Sequence, residues 1–299
     1  MKRMMCILAV LVSGALLLSG CESTTAGGAT GATRSQLLLV SSKDVNDGSA
    51  KAYRQQMDKA RSANALNANQ ADVKRVNAIA KRLIAQVGVF RTDALKWKWE
   101  VNVINSDTIN AYCMPGGKIA VYTGIISKLN LTDDELAAVI GHEMSHALRE
   151  HSREQISQQI AQEQAISLGG SLLGLGSISQ SAASMIGQYA LTLPFSRTME
   201  AEADVMGMEL MARAGYNPES AVNVWRKMSA AGGDAPPEIL STHPSDESRI
   251  ANLERELPKV MPLYQRAIGK NVVASSQQQA PTDKKSLRAP KNSRKKHVR

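Results

Sequence analysis

Within the stretch VIGHEMSHALREHS, residues 139–152, two histidines stand four apart, His142 and His146, and Glu143 follows the first. On a helix such a pair lies about 40° apart around the axis and one turn along it, so both rings can reach one ion at about 2.0–2.1 Å. Glu143 is turned about 100° from His142, which suits it less to a third ligand than to holding a water beside the ion. That is hydrolytic chemistry. The plain alternative is an amphipathic helix that happens to carry histidine. A catalytic zinc takes three protein ligands and keeps one open position, so the remaining donors decide between the two. His151 is nine residues beyond His142, on the opposite face of a continuous helix, and reads as structural or surface. The longer pattern HExxHxxGxxH is broken, with Arg149 and Ser152 where Gly and His are needed. A carboxylate from farther along is therefore expected. The segment RTMEAEADVMG offers Glu200, Glu202 and Asp204. Glu200 and Asp204 share a helix face, so one could hold the ion while the other orients a ligating histidine; Glu202 points elsewhere.

The elements that must position these residues are signposted to different degrees. Thr132 with Glu135 forms a capping box, and Leu131 with Leu136 a hydrophobic staple, so a helix is expected from about 133 into the 150s. Upstream, ADVKRVNAIAKRLIAQVG has helical apolar spacing, WKWEVNVI reads as a strand, and TINAYCMPGGKIAVYTG as two strands around a Pro-Gly-Gly turn. Downstream, residues 196–215 form the helix bearing Glu200, a second helix follows Asn217-Pro218, and a last short one is stopped by Pro258. Residues 164–196 carry no charge. Their glycines, serines and glutamines suit a lid, plug or buried helix near the site better than a membrane span. Cys113 reads as a small buried residue. The fold class expected is α+β, predominantly helical.

Three motifs in order carry a resemblance: the HExxH helix, the later helix with Glu200 and Asp204, and His243-Pro244 of STHPSDESRI ahead of the last helix. With NAYCMPGGKIAVYTGII upstream, they resemble the gluzincin zinc metallopeptidase family of CAAX prenyl proteases, which includes HtpX-type, BepA and LoiP proteins. The resemblance covers about residues 36–265. It implies a zincin-like domain with a small sheet beside the HExxH helix, one Zn2+ per chain, and endopeptidase activity. It also implies His142, His146 and Glu200 as metal ligands, Glu143 as the base, and Asp204 as support. His243 would be an active-site residue that stabilises the transition state or gates the metal. An extended polypeptide substrate would lie beside the strand Lys118, Ile119, Ala120, Val121 and Tyr122.

The ends of the chain suggest where it works. MKRMMCILAVLVSGALLLSGC has a basic start, an apolar run too short to span a bilayer, and small residues before Cys21 that resemble a lipobox. Residues 1–20 then form a signal peptide and Cys21 carries the lipid, with 21–35 a flexible tether. Glu22 favours the outer membrane of a bacterial envelope, facing the periplasm. The metallopeptidase domain follows over 36–268 and a basic disordered tail over 269–299. This tail holds nine Lys/Arg against one acid, about +8 of the formal +9, so the body is nearly neutral and a nucleic-acid partner is not expected. With the lipobox and no tetratricopeptide repeats, the LoiP-like lipoprotein subgroup fits best. The implied role is quality control of unfolded or misassembled envelope proteins, with other envelope proteases or assembly machinery as partners. The rival is a non-catalytic lipoprotein chaperone using the same groove.

Overall fold

A computed structural model describes residues 21–168, 194–231, 237–244 and 247–278. The signal peptide, most of the uncharged segment and the end of the basic tail lie outside these residues, so the readings made for them stand as expectations. A short strand β1 (Cys21–Glu22) pairs antiparallel with β2 (Gln36–Leu37). The chain between them is not the flexible tether its Gly/Thr/Ala composition suggests. It is a docked strap. Backbone N–H groups of Ala29 and Thr30 donate to the Glu209 carboxylate, which is buried and needs such donors. Arg149 donates to the hydroxyls of Ser23 and Thr25.

Helix α1 (Ser42–Ser62) starts on a Ser41 cap, and α2 (Gln70–Ile84) on Asn69, whose side chain accepts from Ala71 and Asp72. The apolar stripe Val76, Ile79, Ala80 and Leu83 of α2 enters the core. The strands β3 (Glu100–Ile104), β4 (Ala111–Met114) and β5 (Lys118–Tyr122) form one sheet in the order β3-β5-β4. The hairpin of β4 and β5 is as expected, but β3 joins β5 in parallel. Residues Lys118, Ile119, Ala120, Val121 and Tyr122 are therefore paired on both sides and offer no edge to a peptide. Two adjacent strands in sequence gave no sign that a third, earlier one would cover the outer side.

A short helix α3 (Thr123–Lys128) leads to α4 (Asp133–Leu148), opened by the Thr132–Glu135 capping box. Helix α4 does not continue into the 150s. Glu150 adopts φ 52°, and α5 (His151–Leu168) starts in a new direction. A left-handed residue other than glycine is unfavourable by about 1–2 kcal/mol. Arg91, Arg153 and Ser42, all bonded to the Glu150 carboxylate, hold it there. Helix α6 (Arg197–Arg213) packs across α4 where Gly141 meets Gly207. A Cβ on Gly207 would lie 2.7 Å from the His142 backbone nitrogen, so only glycine permits this approach.

Helices α7 (Glu219–Ala230) and α8 (Glu238–Thr242) lead to α9 (Glu247–Gln278). The last helix is long, running through Pro258 and Pro262 rather than stopping, and its helical course to Gln278 replaces the start of the expected disordered tail. Each proline removes a helical hydrogen bond. Buried Leu253, Val260 and Leu263, with Ile250 and Leu257 against the same core, hold the helix in place across them. Among the described residues no helix is long and apolar enough to cross a membrane.

Candidate metal centre

Helix α4 carries His142 and His146 to one point, and α6 brings Glu200 to the same point from the facing side. Nε2 of His142 is 3.1 Å from Nε2 of His146 and 3.4 Å from Glu200 Oε2, and His146 Nε2 is 3.4 Å from Glu200 Oε1. His243, at the end of α8, adds Nδ1 at 3.3 Å from His142 Nε2 and 3.0 Å from Glu200 Oε1. A tetrahedron drawn around an ion with bonds of about 2.0–2.1 Å has edges of about 3.3 Å. These five donor-to-donor distances, 3.0–3.4 Å with Glu200 counted through either oxygen, are close to such edges. All four residues are buried, and their donor atoms lie within 4.8 Å of one another.

The protons support the same fit. Asp204 Oδ1 lies 3.0 Å from His142 Nδ1, and His151 Nδ1 lies 2.9 Å from His146 Nδ1. Both rings thus have a partner behind them, which frees Nε2 lone pairs to converge. Burial alone would lower the His142 pKa, yet hydrogen bonds to Asp204 and Glu200 push it up to about 9. The two carboxylates create a demand for positive charge at this nitrogen, which a divalent cation meets. Burial pushes His146 well below the ordinary imidazole value, toward the neutral form that ligates. Burial would raise the Glu200 carboxyl, but His243, His142 and His146 outweigh it and hold it well below the usual carboxylate range. Two imidazoles and a carboxylate are a donor set suited to zinc.

Glu143 stands beside this cluster. Its Oε1 is buried without a hydrogen-bond partner among the described residues, and His243 Nε2 is 3.5 Å away. Burial raises its pKa above the ordinary value. It lines a cavity of about 30 Å³ together with His146, Thr242, His243, Cys113 and Phe195, room for about one water. Of the uncharged segment, residues 164–168 close helix α5 and Pro194, Phe195 and Ser196 lead into α6; the Phe195 ring stacks on His146 at 4.1 Å. The lid, plug or buried helix expected over 164–196 lies mainly outside the described residues.

The chain belongs to peptidase family M48. The model of that family matches residues 70–257, more than half of the sequence. Family and donor set together make this a zinc metallopeptidase domain. Mitochondrial metalloendopeptidase OMA1 of Schizosaccharomyces pombe is 38% identical over 187 residues, 62% of this chain and 52% of that protein. The OMA1 of Arabidopsis thaliana is 41% identical over 154 residues, 50% of this chain and 30% of that protein. The beta-barrel assembly-enhancing protease of Escherichia coli K12 is 27% identical over 197 residues, 63% of this chain and 39% of that protein. The M48 chain thus spans about half or less of the length of these relatives.

Other residues that support the M48 site were not visible in sequence. Arg249 of α9 grips Asp204 with two hydrogen bonds of 2.8 and 2.6 Å and reaches Glu200 Oε2 at 2.7 Å. Its guanidinium lies 3.7 Å over the Trp225 ring, which in turn meets His142 edge-on at 5.2 Å. The contact crosses 45 residues, and no periodicity encodes it. On a continuous helix the spacing puts His151 on the face opposite His142. The break at Glu150 turns it back onto His146, where it is fully buried. Glu202 points away from the cluster as expected, but its carboxylate meets His151 Nε2 at 3.1 Å.

Proposed function

We propose that this chain is a zinc-dependent endopeptidase, lipid-anchored at Cys21 in the outer membrane and facing the periplasm. Its substrates would be unfolded or misassembled envelope proteins. The observation that carries the catalytic part is the convergence of His142, His146 and Glu200 with Glu143 alongside. When bound, zinc supplies Lewis acidity, polarising a carbonyl and making a water more acidic. Glu143 accepts the proton of the attacking water and returns it to the departing amine; its raised pKa suits it to both transfers. Asp204, itself fixed by Arg249, holds the His142 ring in register. His243, within reach of the same donors, would gate access to the ion. An extended peptide pairs with the outer edge of β4, whose residues Ala111, Tyr112 and Cys113 line the same cavity as Glu143.

The envelope location rests on the signal pattern and the lipobox-like residues before Cys21, which also favour the LoiP-like subgroup. A bacterial relative named for β-barrel assembly supports it, along with association with assembly machinery; the OMA1 relatives are mitochondrial by name. In the Glu143→Gln variant, zinc content measured by metal analysis is expected to stay near one per chain. Casein cleavage should fall by at least about 100-fold. Undiminished cleavage by that variant would remove Glu143 as base, and equal protection of unfolded substrate by both proteins without turnover would favour the chaperone reading.

A further inference from the structure

A chain of hydrogen bonds runs from His146 to the N-terminal strap, and its proton directions are fixed by chemistry. If Nε2 of His146 ligates, its Nδ1 must carry the proton and donate it, across 2.9 Å, to Nδ1 of His151. His151 then carries its own proton on Nε2 and donates it to Glu202 Oε2 at 3.1 Å. Glu202 is left as a pure acceptor, and two arginines fill its remaining sites. Arg34 reaches Oε2 at 2.9 Å and Arg149 reaches Oε1 at 2.8 Å. Arg34 is held in turn by a two-pronged pair with Glu154 at 2.6 and 2.8 Å. From His146 to Glu202 each imidazole N–H that this assignment creates meets an acceptor. His151 is 0% exposed and Glu202 9%, so water cannot substitute freely for either partner.

We propose that His151 and Glu202, clamped by Arg34 of the strap, are positioning residues that fix the tautomer and orientation of His146 for metal binding. Because Arg34 belongs to the strap, docking of the N-terminal segment is coupled to the grip on the ion. Residues just past the lipidation site thereby belong to the metal centre's support.

The inference rests on the zinc reading of the site, so the full chain is compared with its variants by chelator competition for zinc. His151→Phe fills the same space without an acceptor and is expected to bind zinc about 10–100-fold more weakly. His151→Gln keeps an acceptor and a donor and is expected within about threefold of the parent. Arg34→Ala should lose several-fold. A role in packing alone would lower the melting temperature of His151→Phe equally with and without zinc and leave zinc affinity unchanged; that result overturns the proposal. Unchanged affinity in Arg34→Ala overturns the strap's part in it. Should His151→Phe fail to fold, nitrogen-15 imidazole spectra of the zinc-loaded parent decide. His151 protonated on Nε2 supports the relay, and protonation on Nδ1 overturns it. A parent chain that binds no zinc would overturn the reading of the site itself, a result distinct from a parent that binds zinc as tightly as His151→Phe.

Discussion

His243 Nδ1 approaches His142 Nε2 at 3.3 Å and Glu200 Oε1 at 3.0 Å, no longer than the 3.4 Å at which Glu200 meets either ligating histidine. Four protein donors close a zinc site, whereas catalysis requires one position for water. His243→Ala is therefore expected to weaken zinc binding by about tenfold while raising turnover of a short peptide at saturating zinc. A fall in kcat at unchanged KM would instead make His243 a stabiliser of the transition state. At this scale the sequence was informative where spacing on one helix decides geometry. His142, Glu143 and His146 could be placed from their i, i+1 and i+4 relation alone; a second i, i+4 relation put Glu200 and Asp204 on one face, and the family resemblance decided which of them reaches the ion. His151 and Arg249 could not. The first depends on the backbone angle of one neighbouring residue, the second on how α9 crosses α6, and neither leaves a periodic trace.

The crossing of α4 and α6 sets how near Glu200 comes to the histidines. Gly207 in α6 faces the His142 backbone so closely that a methyl group must push the helices apart. Gly207→Ala is expected to cost about 1–3 kcal/mol of stability in denaturant unfolding. It should also lower zinc affinity, an effect that helix propensity alone would not produce, since alanine is the better helix former. The joint between α4 and α5 gives a pH-dependent prediction. Burial would raise the Glu150 carboxyl, but Arg91, Arg153 and Ser42 outweigh it and lower its pKa below the ordinary value. Its contribution is therefore present above the unfolded-state pKa of about 4.3 and lost as pH falls through the lower folded-state value. Glu150→Gln should lose about 1–3 kcal/mol at pH 7, and the gap to the parent should narrow on acidification. A gap constant from pH 7 to pH 3 would show that the charge contributes nothing. Element types were largely legible, since caps and apolar stripes are local. The helix break at Glu150, the parallel pairing of β3 and the course of α9 through two prolines were not. Each is settled by tertiary contacts that outweigh a local signal.

At the scale of the whole chain, the body built around α4 and α6 is continuous with the strap that precedes it. Replacing Cys21 with alanine is expected to move the protein from the membrane to the soluble fraction on cell fractionation, with casein cleavage in solution changed less than about twofold. Retention of Cys21→Ala in the membrane fraction would mean another segment does the anchoring. The expected division at residues 35 and 36 fails as a physical boundary, because composition reports only the intrinsic freedom of a segment. It is silent about the buried Glu209 that recruits Ala29 and Thr30. A lipid on Cys21 would be attached beside a residue already paired in a strand, with no slack chain between bilayer and enzyme. A protease anchored in that way would work from a fixed mount instead of a leash. Were the lipid present, the cleft would sweep only a thin layer over the membrane, and polypeptides stalled at that surface would be cut while those diffusing farther away would escape.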